Sequence, residues 1–263
     1  MKNRSCIIVL SVAAGLLLAG GWACYRAETT SNWWDAPTVG DIPAPRGFTR
    51  VPAADSSFAA YLRSLPLKER GTKLCLHNGV PAKHQVLAAA VVDHPLLNRY
   101  EQCADVAIRL RAEYLWQQGR YGEIRFTDVH GAVIQYAVDS SRLDSLSQDF
   151  ETYLKGVFEW CNTTSLFGET HPRRFADVHA GDVLVHPPHE GENYGHAIVV
   201  VDVAKSADGR VAIMCLEGNT PAREKHIVRN LRLWRNPWFI ISPGDTEIRF
   251  IKSRFHQGQL RYY

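Results

Sequence analysis

The chain lacks any run of basic residues, and 30 Lys and Arg against 27 Asp and Glu leave a net charge of only +3. That balance excludes the clustered positive surface a nucleic-acid-binding domain needs, so no nucleic-acid partner is expected. There is no CxxC spacing among the 6 cysteines and no HExxH helix signature. Neither a zinc site nor a regular disulfide framework is implied, and no metal or cofactor is expected. Internal repeats and low-complexity blocks are absent as well. A charged fraction of 22% with an aromatic fraction of 10% argues against disorder. What is present is apolar material, 46% of residues, enough to bury the core of one sizeable domain.

Long apolar stretches are scarce. The stretch from Cys6 to Gly20 is too short and too rich in Gly and Ala for a membrane span. Lys2 and Arg4 precede it and small residues follow as far as Ala23, the pattern of a secretory signal. Two endings compete. Gly21-Trp22-Ala23-Cys24 reads as a degenerate lipobox, with Cys24 acylated as the first mature residue; otherwise cleavage follows Ala23 or Ala27, or the segment stays as an anchor. The reading adopted is a lipoprotein signal over residues 1–23, a tether over 24–46 carrying Pro37, Pro43 and Pro45, and a single domain over 47–263. It predicts an exported protein of the periplasm or outer-membrane surface, with the membrane as partner through the N-terminal lipid or anchor.

Periodicity predicts helices in the first half and strands in the second. Ser56 is read as the N-cap of a helix through Phe58, Tyr61 and Leu62. Leu74 to His77 and Val86 to Val92 read as strands around an Asn78-Gly79 turn. Arg99 to Gln118 is the strongest helix, closed by Gly119, and Phe150 to Cys161 is a second. Ile124 to Thr127 and Val133 to Ala137 read as short strands. Asp182 to His186, His196 to Ala204, Val211 to Glu217 and Lys225 to Val228 follow, with Asp208-Gly209 as a hairpin turn. The class is α+β, a central helix led by Cys103 packed on a C-terminal antiparallel sheet.

Cys161 and Cys215 fall in apolar patterns and Cys75 in an alternating one, so all three read as structural. Cys103 differs because it opens a helix, where partial positive charge and free N–H groups favour thiolate and can line an oxyanion hole. His196 starts a strand after Gly195, a residue that lets a partner approach closely. Pairing through Asp208-Gly209 brings the end of the next strand back to His196. Glu217, or Asn219 just beyond it, is then the group that orients the imidazole. Asp105, Arg109 and Glu113 form a ladder along one helix face, either a paired structural set or a lining for the cleft. The loop His186-Pro187-Pro188-His189-Glu190-Gly191-Glu192 offers metal-ligand types but no metal signature.

Gln102-Cys103-Ala104-Asp105 with Arg109-Leu110-Arg111-Ala112-Glu113-Tyr114-Leu115 resembles the signature of a bacterial family, domain of unknown function 4846. Leu65-Pro66-Leu67-Lys68, Gly181-Asp182-Val183, Gly195-His196-Ala197, Val200-Val201-Asp202, Pro221-Ala222 and Asn236-Pro237-Trp238 extend it, from about Gly47 to Phe255. More loosely, the same block resembles NlpC-type and CHAP-type papain-like peptidases, in which a Cys opens a helix and a "GDxxxF…GHVxI" segment supplies a His. Gln102 stands where Asp or Asn is usual in those enzymes. This likeness implies a papain-like fold with Cys103 as nucleophile, His196 as base, Glu217 as orienter and Gln102 as an oxyanion donor. The function expected is a cysteine hydrolase, a peptidase or amidase of the cell envelope, with peptidoglycan peptides as the substrate class by analogy. The alternative is a non-catalytic envelope lipoprotein that binds a ligand or partner in the same cleft.

Overall fold

The computed structural model describes residues 35–137, 146–232 and 237–263. The signal segment, Cys24 and Asn236 lie outside the described residues. Four α-helices are described: α1 (Phe58–Ser64), α2 (Cys103–Gln117), α3 (Leu146–Trp160) and α4 (Thr163–Glu169). The strands are β1 (Phe48–Arg50), β2 (Ala88–Val91), β3 (Arg125–Thr127), β4 (Val133–Gln135), β5 (His171–Pro172), β6 (Val183–His186) and β7 (His196–Ser206). They continue with β8 (Val211–Glu217), β9 (His226–Val228), β10 (Trp238–Ile241), β11 (Glu247–Arg249), β12 (Arg254–His256) and β13 (Leu260–Tyr262).

One large antiparallel sheet organises the chain in the order β2-β9-β8-β7-β6-β13-β5, with β1 added to the far end of β7 and β10 to β8. The class is therefore α+β. Strands β7 and β8 are apolar almost throughout because both faces of the sheet are covered. On one face Val199, Val201, Met214 and Leu216 share a core with Val106, Ile108, Leu110 and Leu115 of α2 and with Leu154 and Val157 of α3. On the other, Val200, Val203, Ile213 and Cys215 pack with Ile248 and Phe255 of the β11-β12 hairpin. A bulge between Val200 and Asp202 shifts the β7 register. There the fully buried Asp202 meets Arg50 at 2.7 Å and Arg63 at 2.6 Å.

Several boundaries differ from those the sequence predicts. The packed unit begins before residue 47, because Val39 and Ile42 are fully buried and Pro43 O accepts from Trp238 Nε1 at 3.0 Å. The stretch rich in proline is docked on the sheet rather than serving throughout as a tether. Ser57, not Ser56, caps α1, accepting from Ala60 N–H at 3.2 Å. Residues 74–77 form no strand. They make two isolated bridges, Cys75 with Pro81 and Leu76 with Arg223, around a tight turn in which Gly79 has a φ of 78°. Helix α2 starts at Cys103 rather than Arg99. Ahead of it, side chains take the backbone donors: Asn98 Oδ1 accepts from Tyr100 N–H and Glu101 Oε2 from Leu97 N–H, both at 2.8 Å.

Candidate active site

Cys103 is the first residue of α2, so the free N–H groups and positive end of the helix face its thiol. Gln102 caps the helix, and its own N–H donates to Asp105 Oδ2 at 2.8 Å. Two glycines bring other elements against this point. A Cβ on Gly218 would lie 2.8 Å from Val106 Cγ2, so a bare backbone lets the end of β8 rest on the first turn of α2. A Cβ on Gly195 would lie 2.2 Å from His186 O and 2.4 Å from Thr163 Oγ1. Only glycine fits there, and it sets His196 at the mouth of β7.

His196 Nε2 lies 3.0 Å from Glu217 Oε2. That leaves Nδ1 as the ring nitrogen for the Cys103 thiol. Burial works to lower the His196 pKa, but hydrogen bonding to Cys103 and Glu217, with their negative charge, outweighs it and raises the value to about 9. Burial likewise works to raise the Glu217 carboxyl, yet His196 and His226 hold it well below the usual carboxylate range. Glu217 Oε1 accepts from Arg223 Nη2 at 3.0 Å and lies 3.3 Å from His226 Nε2. The imidazole thus leans on a carboxylate that is itself clamped on both oxygens.

The structure brings Cys103, His196 and Glu217 together, and leaves Asn219 apart. Asn219 Oδ1 accepts from Thr220 N–H at 2.8 Å, so its side chain serves its own turn. Gln102 Oε1 accepts from the Thr220 hydroxyl at 2.7 Å, which leaves the amide nitrogen of Gln102 as a donor beside Cys103. The charge ladder divides. Arg109 and Glu113 pair with each other at 2.7 Å and with other buried groups, whereas Asp105 lies beside the cleft with Oδ1 unpartnered. Arg223 and His226 escape a reading by motif. The signal for His226 is register, since it is the direct strand partner of Glu217 across β8 and β9.

The other cysteines form a contrast. Cys75, Cys103, Cys161 and Cys215 are all free thiols. Burial pushes the Cys161 thiol up to about 12 and the Cys215 thiol well above its ordinary value. Cys103, unlike Cys161, opens a helix and meets His196, and both line an open cleft of about 340 Å³ between the start of α2, the α3–α4 junction and the loop before β7. Tyr100, Trp160 and Tyr194 stand exposed around its mouth. That loop builds a cleft wall with Pro188, Asn193 and Tyr194. Its His186 and His189 rings stack with centroids 4.4 Å apart, and His186 Nδ1 lies 2.8 Å from Pro187 O. Among the described residues, no three of His, Cys, Asp and Glu converge as a metal-holding group.

Neither the curated proteins nor the solved structures contain a match to the chain. The family model for domain of unknown function 4846 matches residues 40–142 and 135–262, nearly the whole of the folded region. The chain is a member of the domain of unknown function 4846 family.

Proposed function

We propose that the chain is a cysteine hydrolase with a papain-like arrangement, acting on amide or peptide bonds. The observation that carries this is a single imidazole held between the Cys103 thiol at a helix N-terminus and the clamped carboxylate of Glu217. In the reaction, Cys103 Sγ adds to the carbonyl carbon as its proton rests on His196. The charge on the carbonyl oxygen meets the Cys103 N–H and the Gln102 amide. Collapse breaks the C–N bond, and His196 gives its proton to the departing amine. Water then attacks the thioester, His196 takes its proton, and release of the acid restores the thiol. Glu217 keeps the ring oriented and stabilises it while charged.

The same proposal places the protein at the cell envelope after export, attached through acylated Cys24 and acting on peptides such as those of peptidoglycan. Metabolic labelling with a fatty acid, compared between wild type and Cys24→Ala, tests the attachment apart from the chemistry. The hydrolase reading is tested with a thiol-reactive probe over a range of pH. Wild type should label fast at neutral pH, because the raised His196 keeps its proton until pH rises through about 9. His196→Ala should lose that and follow the ordinary thiol, near pH 8.5. Equal neutral-pH rates in the two proteins would instead favour a cleft that binds a ligand or partner without reacting.

A further inference from the structure

A second cavity, of about 430 Å³, shares no lining residue with the cleft. Its walls include Arg111 of α2, Glu123, Arg125 of β3, Glu169 of α4, and Tyr263. The two carboxylates there are already engaged. Arg120 holds Glu123 through two hydrogen bonds of 2.6 Å. Glu169 accepts from Thr127 N–H at 2.7 Å, and burial pushes its carboxyl up to about 7, against that bond and the charge of Arg111.

The two guanidiniums act on those carboxylates only by charge, Arg111 on Glu169 and Glu123 and Arg125 on Glu123. Among the described residues, neither the Arg111 nor the Arg125 side chain has a hydrogen bond or an ion pair. Arg111 Cζ lies over the Tyr263 ring, 4.1 Å from the centroid. Such a cation–π contact holds the guanidinium against the ring without using its N–H groups. A half-buried fork with no acceptor is poorly satisfied alone, and an oxyanion meets it with two parallel hydrogen bonds. The volume suits a small ligand rather than a bare ion alone.

We propose that this cavity binds a ligand carrying an oxyanion, a carboxylate or a phosphate, on Arg111 and Arg125, with Tyr263 as the platform that holds Arg111. The site is separate from the proposed hydrolase cleft, though α2 and α4 border both, through Cys103 and Arg111 on one helix and Thr163 and Glu169 on the other. The test is calorimetric titration of the full chain with inorganic phosphate and, separately, with citrate. Saturable binding of at least one is expected, weakened roughly tenfold in Arg111→Gln and in Arg125→Gln. Arg174→Gln, which removes a guanidinium whose side chain is 80% exposed, should bind as wild type does. Phosphate binding alone identifies a phosphate-bearing ligand, and citrate binding alone a carboxylate-bearing one. Absence of saturable binding for both probes, or affinities unchanged by the Arg111 and Arg125 substitutions, overturns the proposal. If Arg111→Gln does not fold, the exposed Arg125 decides the matter by itself.

Discussion

Along α2, Arg109 and Glu113 sit one turn apart in a closed set of ion pairs, whereas Asp105, one turn earlier, ends beside Cys103 with an oxygen that nothing satisfies. The closed set is extensive. Arg109 Nη1 lies 2.7 Å from Glu101 Oε2, and the other Glu101 oxygen pairs with the fully buried Lys225. Glu113 also accepts from Tyr61 Oη and lies beside His94 Nε2, both at 2.8 Å. Burial works to raise the Glu113 carboxyl, but His94 and Arg109 bring it down to about 2. Asp105 accepts from the Gln102 N–H, and burial pushes its carboxyl well above its ordinary value. Buried ionisable side chains are common to both regions, and what separates them is whether the carboxylate has its ion-pair partners.

The sharpest break in the comparison is Cys103→Ala. On the hydrolase reading, turnover of amide substrates should fall on the order of a thousandfold or more. Calorimetry should show the melting midpoint little changed, since a small side chain is lost beside an open cleft. Glu101→Gln should do the reverse, leaving Lys225 and Arg109 short of a partner and costing about 3–5 kcal/mol in urea unfolding. Asp105→Asn, which keeps the side chain's shape and has no ion pair to break, should cost less than about 1 kcal/mol. A larger loss than in Glu101→Gln would refute the contrast.

Glu217→Gln acts between these extremes. Because Glu217 helps to raise His196 to about 9, the variant's imidazole should titrate lower, as followed by proton NMR. The sign for stability follows. A raised histidine contributes stability in full below its unfolded pKa of about 6.5, and the contribution is lost as pH rises through about 9. Wild type should weaken across that window more than Glu217→Gln does. A separate pH effect is expected at Glu169, which has no part in the ladder. Its carboxyl, raised to about 7 by burial, binds its proton more tightly in the native state, so wild-type stability falls as pH rises from about 4.5 to 7. Glu169→Gln should flatten that slope, by about 3 kcal/mol over the full window, in pH-dependent unfolding.

How much of this was legible in the sequence depended on range. Cys103 at a helix start, His196 after Gly195 and the Asp208-Gly209 turn are local patterns, and local patterns can be read. The hairpin then carried Glu217 to His196 because a tight turn fixes register. Arg223 and His226 were not legible, since β9 joins β8 through a loop whose path no periodicity dictates. The start of α2 was misplaced for a related reason: Asn98 and Glu101 spend their side chains on nearby N–H groups and hold the chain out of the helix. The ladder was visible as spacing, but Lys225 and His94, which close it, come from distant segments. Strands β1, β10 and β13 are too short to announce themselves, and each exists only by pairing with a partner already in the sheet.

Strand β13 has a consequence for how the protein is made. It lies between β5 and β6, so the edge of β6, next to the strand that begins with His196, has no neighbour until residues 260–262 are available. During synthesis, the apolar Val183–His186 edge is a bare template for any passing strand. A chain shortened before Leu260 should keep that exposure permanently and aggregate rather than merely melt earlier.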